Sequence, residues 1–451
     1  MTERSFDCFQ GSFADRPDRG VRFLVSPLLL GSLLESEMVQ RVTRVARLPY
    51  LDGPVFLYAD ASPKPFGFPA GIVIRTQPGW LYPMAAPDMG CGYLVIDTGI
   101  RLDPEAAKTD ALTSVLDEMI DAVGLHSPAR KILSQPVGEI LRHGLKAIDG
   151  PAEFSADTCP AEEGNSWEAS LDALGGGKGD ASFQNSLGSA AGHFVACYVV
   201  VDNFPPHNLE PGAVLAVVHV GSAPIRDHLN STGFYARLAE NSIGSGIASI
   251  DDAADGLFPV DISTADGKAF VGAAMGARNF GYVNRQLVAD RVVRILRQRF
   301  SAAVVSDGKQ LRHVDHVAFE MVGEGVRSRR GLQPLHKERL VFITGGEHTL
   351  GYLCSTGANS SMADDLCCHG APVRDVEEIT PHIWDDPDYG IDPNVILCWA
   401  GKMASNTSFN YRRFWSDVAN LESVIAYLRH ADIAHPAARL RPLLNYREKH
   451  L

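Results

Sequence analysis

Asp88 and Cys91 stand three residues apart in Pro87-Asp88-Met89-Gly90-Cys91-Gly92, a glycine-rich turn. A carboxylate and a thiolate in one turn are a pair of ligands for a divalent transition-metal ion, and one thiolate can bridge two ions. Two histidines far downstream extend the set. His193 immediately precedes the apolar run Phe194-Val195-Ala196-Cys197-Tyr198-Val199-Val200-Val201, and His219 closes Val214-Leu215-Ala216-Val217-Val218. Imidazoles at strand ends suit zinc, manganese or iron. A single histidine beside a strand is ordinarily a hydrogen-bonded core residue. The combination with Asp88 and Cys91 points instead to a metal-dependent enzyme.

The elements that must position these residues show in the hydrophobic pattern. Strands are expected over 71–76, 93–97, 194–202, 213–219 and 339–344, where apolar residues run almost without a break. Such runs predict strands buried on both faces. Helices are expected over 103–123, 138–148, 284–300 and 421–429. In the third, Val288, Val292, Ile295 and Leu296 share one face while Arg291, Arg294 and Arg297 share the other, a row read as a solvated face. Strands and helices mix without strict alternation. The expected fold class is α+β (mixed α/β), with buried mixed sheets, surrounding helices and a central metal cleft. No linker divides the chain, so one large domain is expected over 1–451, its first 50 residues being the least defined. An irregular excursion is expected over 158–180. It carries Gly175-Gly176-Gly177-Lys178-Gly179, which lacks the spacer and the Ser or Thr of a phosphate loop.

The totals narrow the class. With 451 residues, 45% hydrophobic and 21% charged, the chain can bury a sizeable core and has the make-up of a soluble protein. No apolar run approaches the roughly 20 residues of a bilayer span. The first residues lack a secretion-signal pattern. Eight cysteines, irregularly spaced apart from Cys367-Cys368, do not form a disulfide framework, and a reducing cytoplasm fits them. Cys8, Cys159, Cys197, Cys354 and Cys398 are read as ordinary small residues. A formal net charge of −13 argues against nonspecific coating of nucleic acid, yet allows a small basic cleft for one strand end.

Seven segments in order resemble the RtcB-type RNA ligases, which join RNA ends with GTP and manganese. They are Pro65-Phe66-Gly67-Phe68-Pro69-Ala70-Gly71; Asp88-Met89-Gly90-Cys91-Gly92; Ser186-Leu187-Gly188-Ser189-Ala190-Ala191-Gly192-His193-Phe194; His219-Val220-Gly221-Ser222; Asn279-Phe280-Gly281-Tyr282-Val283-Asn284-Arg285-Gln286; Cys368-His369-Gly370-Ala371; and Ala438-Arg439-Leu440-Arg441-Pro442-Leu443. The resemblance runs from about Val55 to the last few residues.

The resemblance implies that Cys91 bridges two ions, one completed by Asp88 and His193 and the other by His219 and a further ligand. That ligand falls in His313-Val314-Asp315-His316, where a gapless match selects Asp315 and a small shift selects His316, the narrowly favoured residue. It further implies two manganese ions (zinc or iron also fitting), GTP, the joining of RNA 3′-phosphate or 2′,3′-cyclic phosphate ends to 5′-hydroxyl ends, and His369 as the nucleophile that carries GMP to an RNA 3′-phosphate before a 5′-hydroxyl displaces it. Nucleotide contacts would fall to Asn284, Gly345, Gly346, Thr349, His369, Arg374, Arg447 and Lys449. The implied partners are RNA ends, as in tRNA halves or damaged RNA, and the resemblance is compatible with an activating protein. A cytoplasmic monomer without membrane contact is the expectation.

The departures from the family pattern cluster on the nucleotide side. Gly192 stands where the family has asparagine, Ala196 where it has glutamate, and Ala223 where it has arginine, with Arg226 close by. Pro372-Val373 replaces Gly-Arg, with Arg374 one place late. Thr344-Gly345-Gly346-Glu347-His348-Thr349 replaces Pro-Gly-Ser-Met-Gly-Thr, and Arg447 stands for the terminal guanine-contacting lysine, with Lys449 two residues on. Two alternatives therefore stand beside RNA ligation: nucleotidyl or phosphoryl transfer to another substrate, and a catalytically silent protein that binds RNA ends.

Overall fold

The computed structural model describes residues 9–13, 16–34, 37–64, 66–103, 109–130, 137–148, 167–175, 181–372 and 393–448. Two sheets and a 35-residue helix organise them into an α+β fold. The larger sheet runs in the spatial order Lys309–Asp315, Gly92–Arg101, Ala213–Val220, Phe194–Asn203, Ala434–Arg447, Gly351–Thr356, Val341–Thr344, and Ala404–Ser405 joins the long Ala434–Arg447 strand in parallel. Its other pairings are antiparallel. The smaller sheet orders Phe9–Phe13, Arg16–Leu24, Val55–Ser62, Ala70–Thr76, Gly325–Arg330 and Val317–Val322.

The unbroken apolar runs have the expected cause, because both faces of the larger sheet are covered. Leu94, Ile96, Val195, Val199, Ala216, Val218 and Val220 project to one side, against Val288, Val292, Val293 and Leu296 of the long helix Ala265–Arg299. Tyr93, Val95, Ala196, Tyr198, Leu215 and Val217 project to the other. The sheet curls on that second side until Val314 and Phe342, from its two outermost strands, share one core. Alternate residues of a strand thus enter different cores.

The long helix begins well before residue 284. Thr264 caps it, its side chain accepting from the Gly267 backbone N–H. Its first half is buried almost all round from Phe270 to Gln286, which erases the one-sided stripe that marks the second half. Glycines let neighbours reach its backbone: a Cβ at Gly281 would lie 2.3 Å from the Gly90 carbonyl oxygen. The arginine row proves partly internal. Arg291 donates to the Ala122 and Gly188 carbonyls, and Arg297 to that of Thr98. Of the 158–180 excursion, 167–175 are described and hold one short 3-10 turn, Asp172–Leu174; the rest lies outside the described residues.

Candidate active site

Cys91 sits at the mouth of the larger sheet, one residue before the strand Gly92–Arg101. Its turn is closed by the Cys91 N–H donating to the Asp88 carbonyl at 3.0 Å. Gly90 adopts φ +77, and a Cβ there would lie 2.7 Å from the Arg278 Cα, so only glycine fits the approach of turn to helix. Gly221 likewise faces the Cys91 Cα at 2.7 Å from its would-be Cβ. The buried Arg285 then ties two strand ends together, its guanidinium donating to the carbonyls of Gly90 and Val220.

Three imidazoles converge on the Cys91 sulfur. His193 Nε2 lies 3.0 Å from Sγ, His316 Nε2 3.2 Å and His219 Nε2 3.3 Å. His219 and His316 are themselves 3.0 Å apart at Nε2, and His193 Nε2 is 3.3 Å from Asp88 Oδ2. Two groups with ion-binding geometry result, Cys91–His219–His316 and Asp88–Cys91–His193, and they share only the sulfur. The register explains the convergence. Tyr93 pairs with His219 across two strands, and Phe194 pairs with the same histidine from the other side, so the ends of three neighbouring strands coincide.

The electrostatics at His219 and His316 suit neutral ligands rather than cations. Burial, then the neighbouring His193 and His369, holds His219 well below the usual imidazole range. Burial, followed by His369 and His219, does the same to His316. Burial raises the Cys91 thiol, so this sulfur is no reactive surface thiolate. For His193 burial works downward, but Cys91 and Asp88 outweigh it and hold the ring well above its ordinary value. Asp88 is held low against its own burial by the His193 contact. His193 Nδ1 lies 2.8 Å from the Ala191 carbonyl oxygen, an acceptor that keeps a hydrogen on Nδ1 and directs Nε2 toward the sulfur. The carboxylate oxygen Asp88 Oδ1 is buried with no hydrogen-bond partner among the described residues. One thiolate, one carboxylate and three imidazoles with an orphaned carboxylate oxygen are a donor set that fits two divalent ions.

Asp315 takes no part in this convergence. It is buried in an ion pair with Arg278 at 2.6 Å and a second with Arg329. It ends the strand Lys309–Asp315, and one residue further on the chain presents His316 to the opposite side. Of the two residues left open above, geometry therefore groups His316 with Cys91 and His219, and Asp315 with arginines.

His369 completes the site from just beyond the small strand Leu366–Cys368. Its ring stacks on that of His316 with centroids 4.3 Å apart. His369 Nδ1 is 2.6 Å from Asp60 Oδ2 and 2.8 Å from the Gly331 carbonyl, and its backbone N–H donates to the same Asp60 oxygen at 3.2 Å. With two acceptors at Nδ1, a hydrogen is held on that nitrogen and Nε2 is the ring atom left without those contacts. Backbone bonds bind the two halves of the site: His316 N–H donates to the Cys91 carbonyl at 2.7 Å, and Gly331 N–H donates to the His316 carbonyl at 2.8 Å. Asp60 escapes sequence reasoning because it is a lone acid near the end of an apolar strand, in no recognisable motif.

The expected nucleotide contacts divide. Asn284 is buried, its side chain donating to the Ser189 carbonyl and accepting from the Gly188 N–H, which makes it a latch under the His193 loop. Gly345 and Gly346 form a turn closed by Thr349, whose hydroxyl donates to the Gly346 carbonyl at 3.0 Å, and the Ala371 N–H donates to the Thr344 carbonyl beside His369. Arg447 forms an ion pair with Glu347 of that turn. Arg374 and Lys449 lie outside the described residues. Arg226 lies 3.8 Å from Asp88 Oδ2.

Comparison with known proteins agrees with this geometry. A family profile described as tRNA-splicing ligase RtcB matches residues 41–372. A curated tRNA-splicing ligase RtcB from Thermococcus kodakarensis is 26% identical over 384 residues, covering 76% of this chain and 77% of its own.

Proposed function

The chain belongs to the RtcB family of RNA ligases, and on that footing we propose that it joins RNA 3′-phosphate or 2′,3′-cyclic phosphate ends to 5′-hydroxyl ends through a nucleotide carried on His369. The observation that carries this reading is the stacking of His369 on His316, with Nδ1 engaged by Asp60 and Gly331. That arrangement fixes the ring beside the ion-binding cluster, with Nδ1 engaged and Nε2 left for chemistry.

Asp88, Cys91 and His193 would hold one divalent ion and Cys91, His219 and His316 the other, with manganese the expected metal. Bound ions would screen phosphate charge and lower the barrier to developing oxyanions. The chain's own residues supply the rest. Nε2 of His369 attacks the α-phosphorus of GTP, and pyrophosphate departs. Positive charge developing on the ring is met at Nδ1 by the Asp60 carboxylate, which also keeps the ring from turning. Tyr93 donates to the His369 carbonyl at 3.3 Å and fixes the backbone at the nucleophile. Arg226, beside Asp88, would meet an RNA phosphate where the family's arginine is absent. The expected partners are RNA ends such as tRNA halves, in the cytoplasm, with the chain acting as a monomer over one catalytic domain. No helix among the described residues is long and apolar enough to cross a membrane.

A second reading, transfer of another nucleotide or to another acceptor, draws on the Arg447–Glu347 ion pair, which engages the residue expected to read guanine. One experiment separates the two. Protein is incubated with manganese and each of the four α-labelled ribonucleoside triphosphates, then with 3′-phosphate RNA. Acid-labile label from GTP on wild type, its loss in His369→Ala, and sealing of RNA support ligation. Label from a different triphosphate favours the second reading. No label from any of them rejects both.

A further inference from the structure

At the strand Lys309–Asp315, outermost in the larger sheet, lies a second concave site lined by no residue of the histidine cluster. Val314 faces the core that contains Tyr93, and His316 follows it toward the cluster, while His313 and Asp315 face the long helix. A cavity of about 200 Å³ opens there between strand and helix. Five arginines line it, Arg278, Arg312, Arg327, Arg329 and Arg339, against two carboxylates, Asp315 and Glu320. The carboxylates are committed: Asp315 to Arg278 and Arg329, and Glu320 to Arg327 and Arg329. Adding Asp364, which reaches Arg327 at 3.6 Å, still leaves the lining positive.

His313 makes the cavity more than a charged dent. It is 4% exposed, lines the cavity, lies with its ring centroid 4.6 Å from that of Tyr282, and neither ring nitrogen has a hydrogen-bond partner among the described residues. Nη1 of the equally buried Arg278 is also without one. A buried donor left unpaired costs about 1–3 kcal/mol, so two such groups in a positive cavity call for an acceptor-rich ligand. The volume lies below the ~300–1,000 Å³ of sites for drug-sized ligands. Arginine guanidinium groups match phosphate oxygens in a fork geometry.

We propose that this cavity is a binding site for a small phosphate-class oxyanion, orthophosphate or pyrophosphate, held by Arg278, Arg312 and Arg339 with His313 donating from one ring nitrogen. None of Asp88, Cys91, His193, His219, His316 and His369 lines it, and its occupancy does not depend on whether the chain seals RNA. The half-buried Arg339 stands at the rim and His313 at the back.

The test uses the full chain kept in chelator, so that no divalent ion can recruit phosphate elsewhere. Orthophosphate and pyrophosphate are titrated separately by calorimetry at constant ionic strength. Saturable binding of either is expected, weakened about tenfold or more in Arg339→Gln through loss of a charge-assisted contact, abolished in His313→Phe, and unchanged in Cys91→Ala. Binding of pyrophosphate alone would identify the diphosphate as the ligand, and binding of both the single phosphate group. Absence of saturable binding to wild type up to millimolar anion overturns the proposal. So does binding that survives Arg339→Gln and disappears in Cys91→Ala. Should His313→Phe fail to fold, the rim variant decides.

Discussion

Replacing Asp60 with asparagine isolates the device that holds the nucleophile. Asp60 is 6% exposed and accepts from both Nδ1 and the backbone N–H of His369, at 2.6 and 3.2 Å. The amide is isosteric and can still accept through its oxygen, but it loses the charge that strengthens the Nδ1 bond. A hydrogen bond to a charged partner contributes about 1.5–3 kcal/mol. At about 1.4 kcal/mol per tenfold, full loss in the transition state slows nucleotide attachment about 10- to 150-fold. The Gly331 carbonyl at 2.8 Å still selects the Nδ1–H tautomer, so the loss should stop short of the ~10⁴-fold seen when a catalytic histidine is left in the wrong tautomer. The assay is single-turnover labelling with α-labelled GTP at saturating manganese, with metal content and thermal midpoint measured alongside. A rate within threefold of wild type would refute the orienting role. A slow rate accompanied by loss of metal would refute it too, since it would place Asp60 in the metal shell instead.

Asp315→Asn should cost about 3–5 kcal/mol in urea denaturation, because Arg278 is left as a buried, uncompensated charge while Arg329 keeps only Glu320; metal content equal to wild type in the folded variant would set Asp315 apart from the ligands. The same network predicts acid sensitivity: although burial works upward, the arginines hold both Asp315 and Glu320 below the ordinary carboxylate range, so their stabilisation is complete above about pH 4 and lost as pH falls further. In Asp315→Asn the slope of stability against pH below that value should flatten, and an unaltered slope would contradict the assignment. Asn284→Ala should lower stability by about 1–3 kcal/mol by orphaning the Gly188 N–H and Ser189 carbonyl. GTP affinity in that variant should match wild type, and a large loss of affinity at unchanged stability would restore Asn284 to the nucleotide pocket.

Much of this architecture was legible in residue order, and the parts that were not have physical reasons. The strand expected over 194–202 is observed as Phe194–Asn203, and that over 213–219 as Ala213–Val220, because doubly buried strands write continuous apolar runs. The helix expected from 284 starts at Ala265, since Gly272, Gly276 and Gly281 pack against neighbours and no polar face interrupts the buried stretch. Between Asp315 and His316 the motif left both open, a gapless match selecting Asp315 and a small shift His316, and no strand was expected there to decide. The period-two rule, applied from Val314, places His316 with the Tyr93 core and Asp315 with the helix. Asp60 was beyond reach: it meets His369 across 309 residues of chain, a separation that only the folded sheets close.

The central claim is that the Cys91 sulfur is shared by two ion-binding groups. Metal analysis of manganese-reconstituted wild type, Cys91→Ala and His219→Ala tests it most directly. The expectation is about two ions per chain for wild type, near none without the shared sulfur, and about one without His219. A Cys91→Ala protein that folds and retains the wild-type metal content would contradict it.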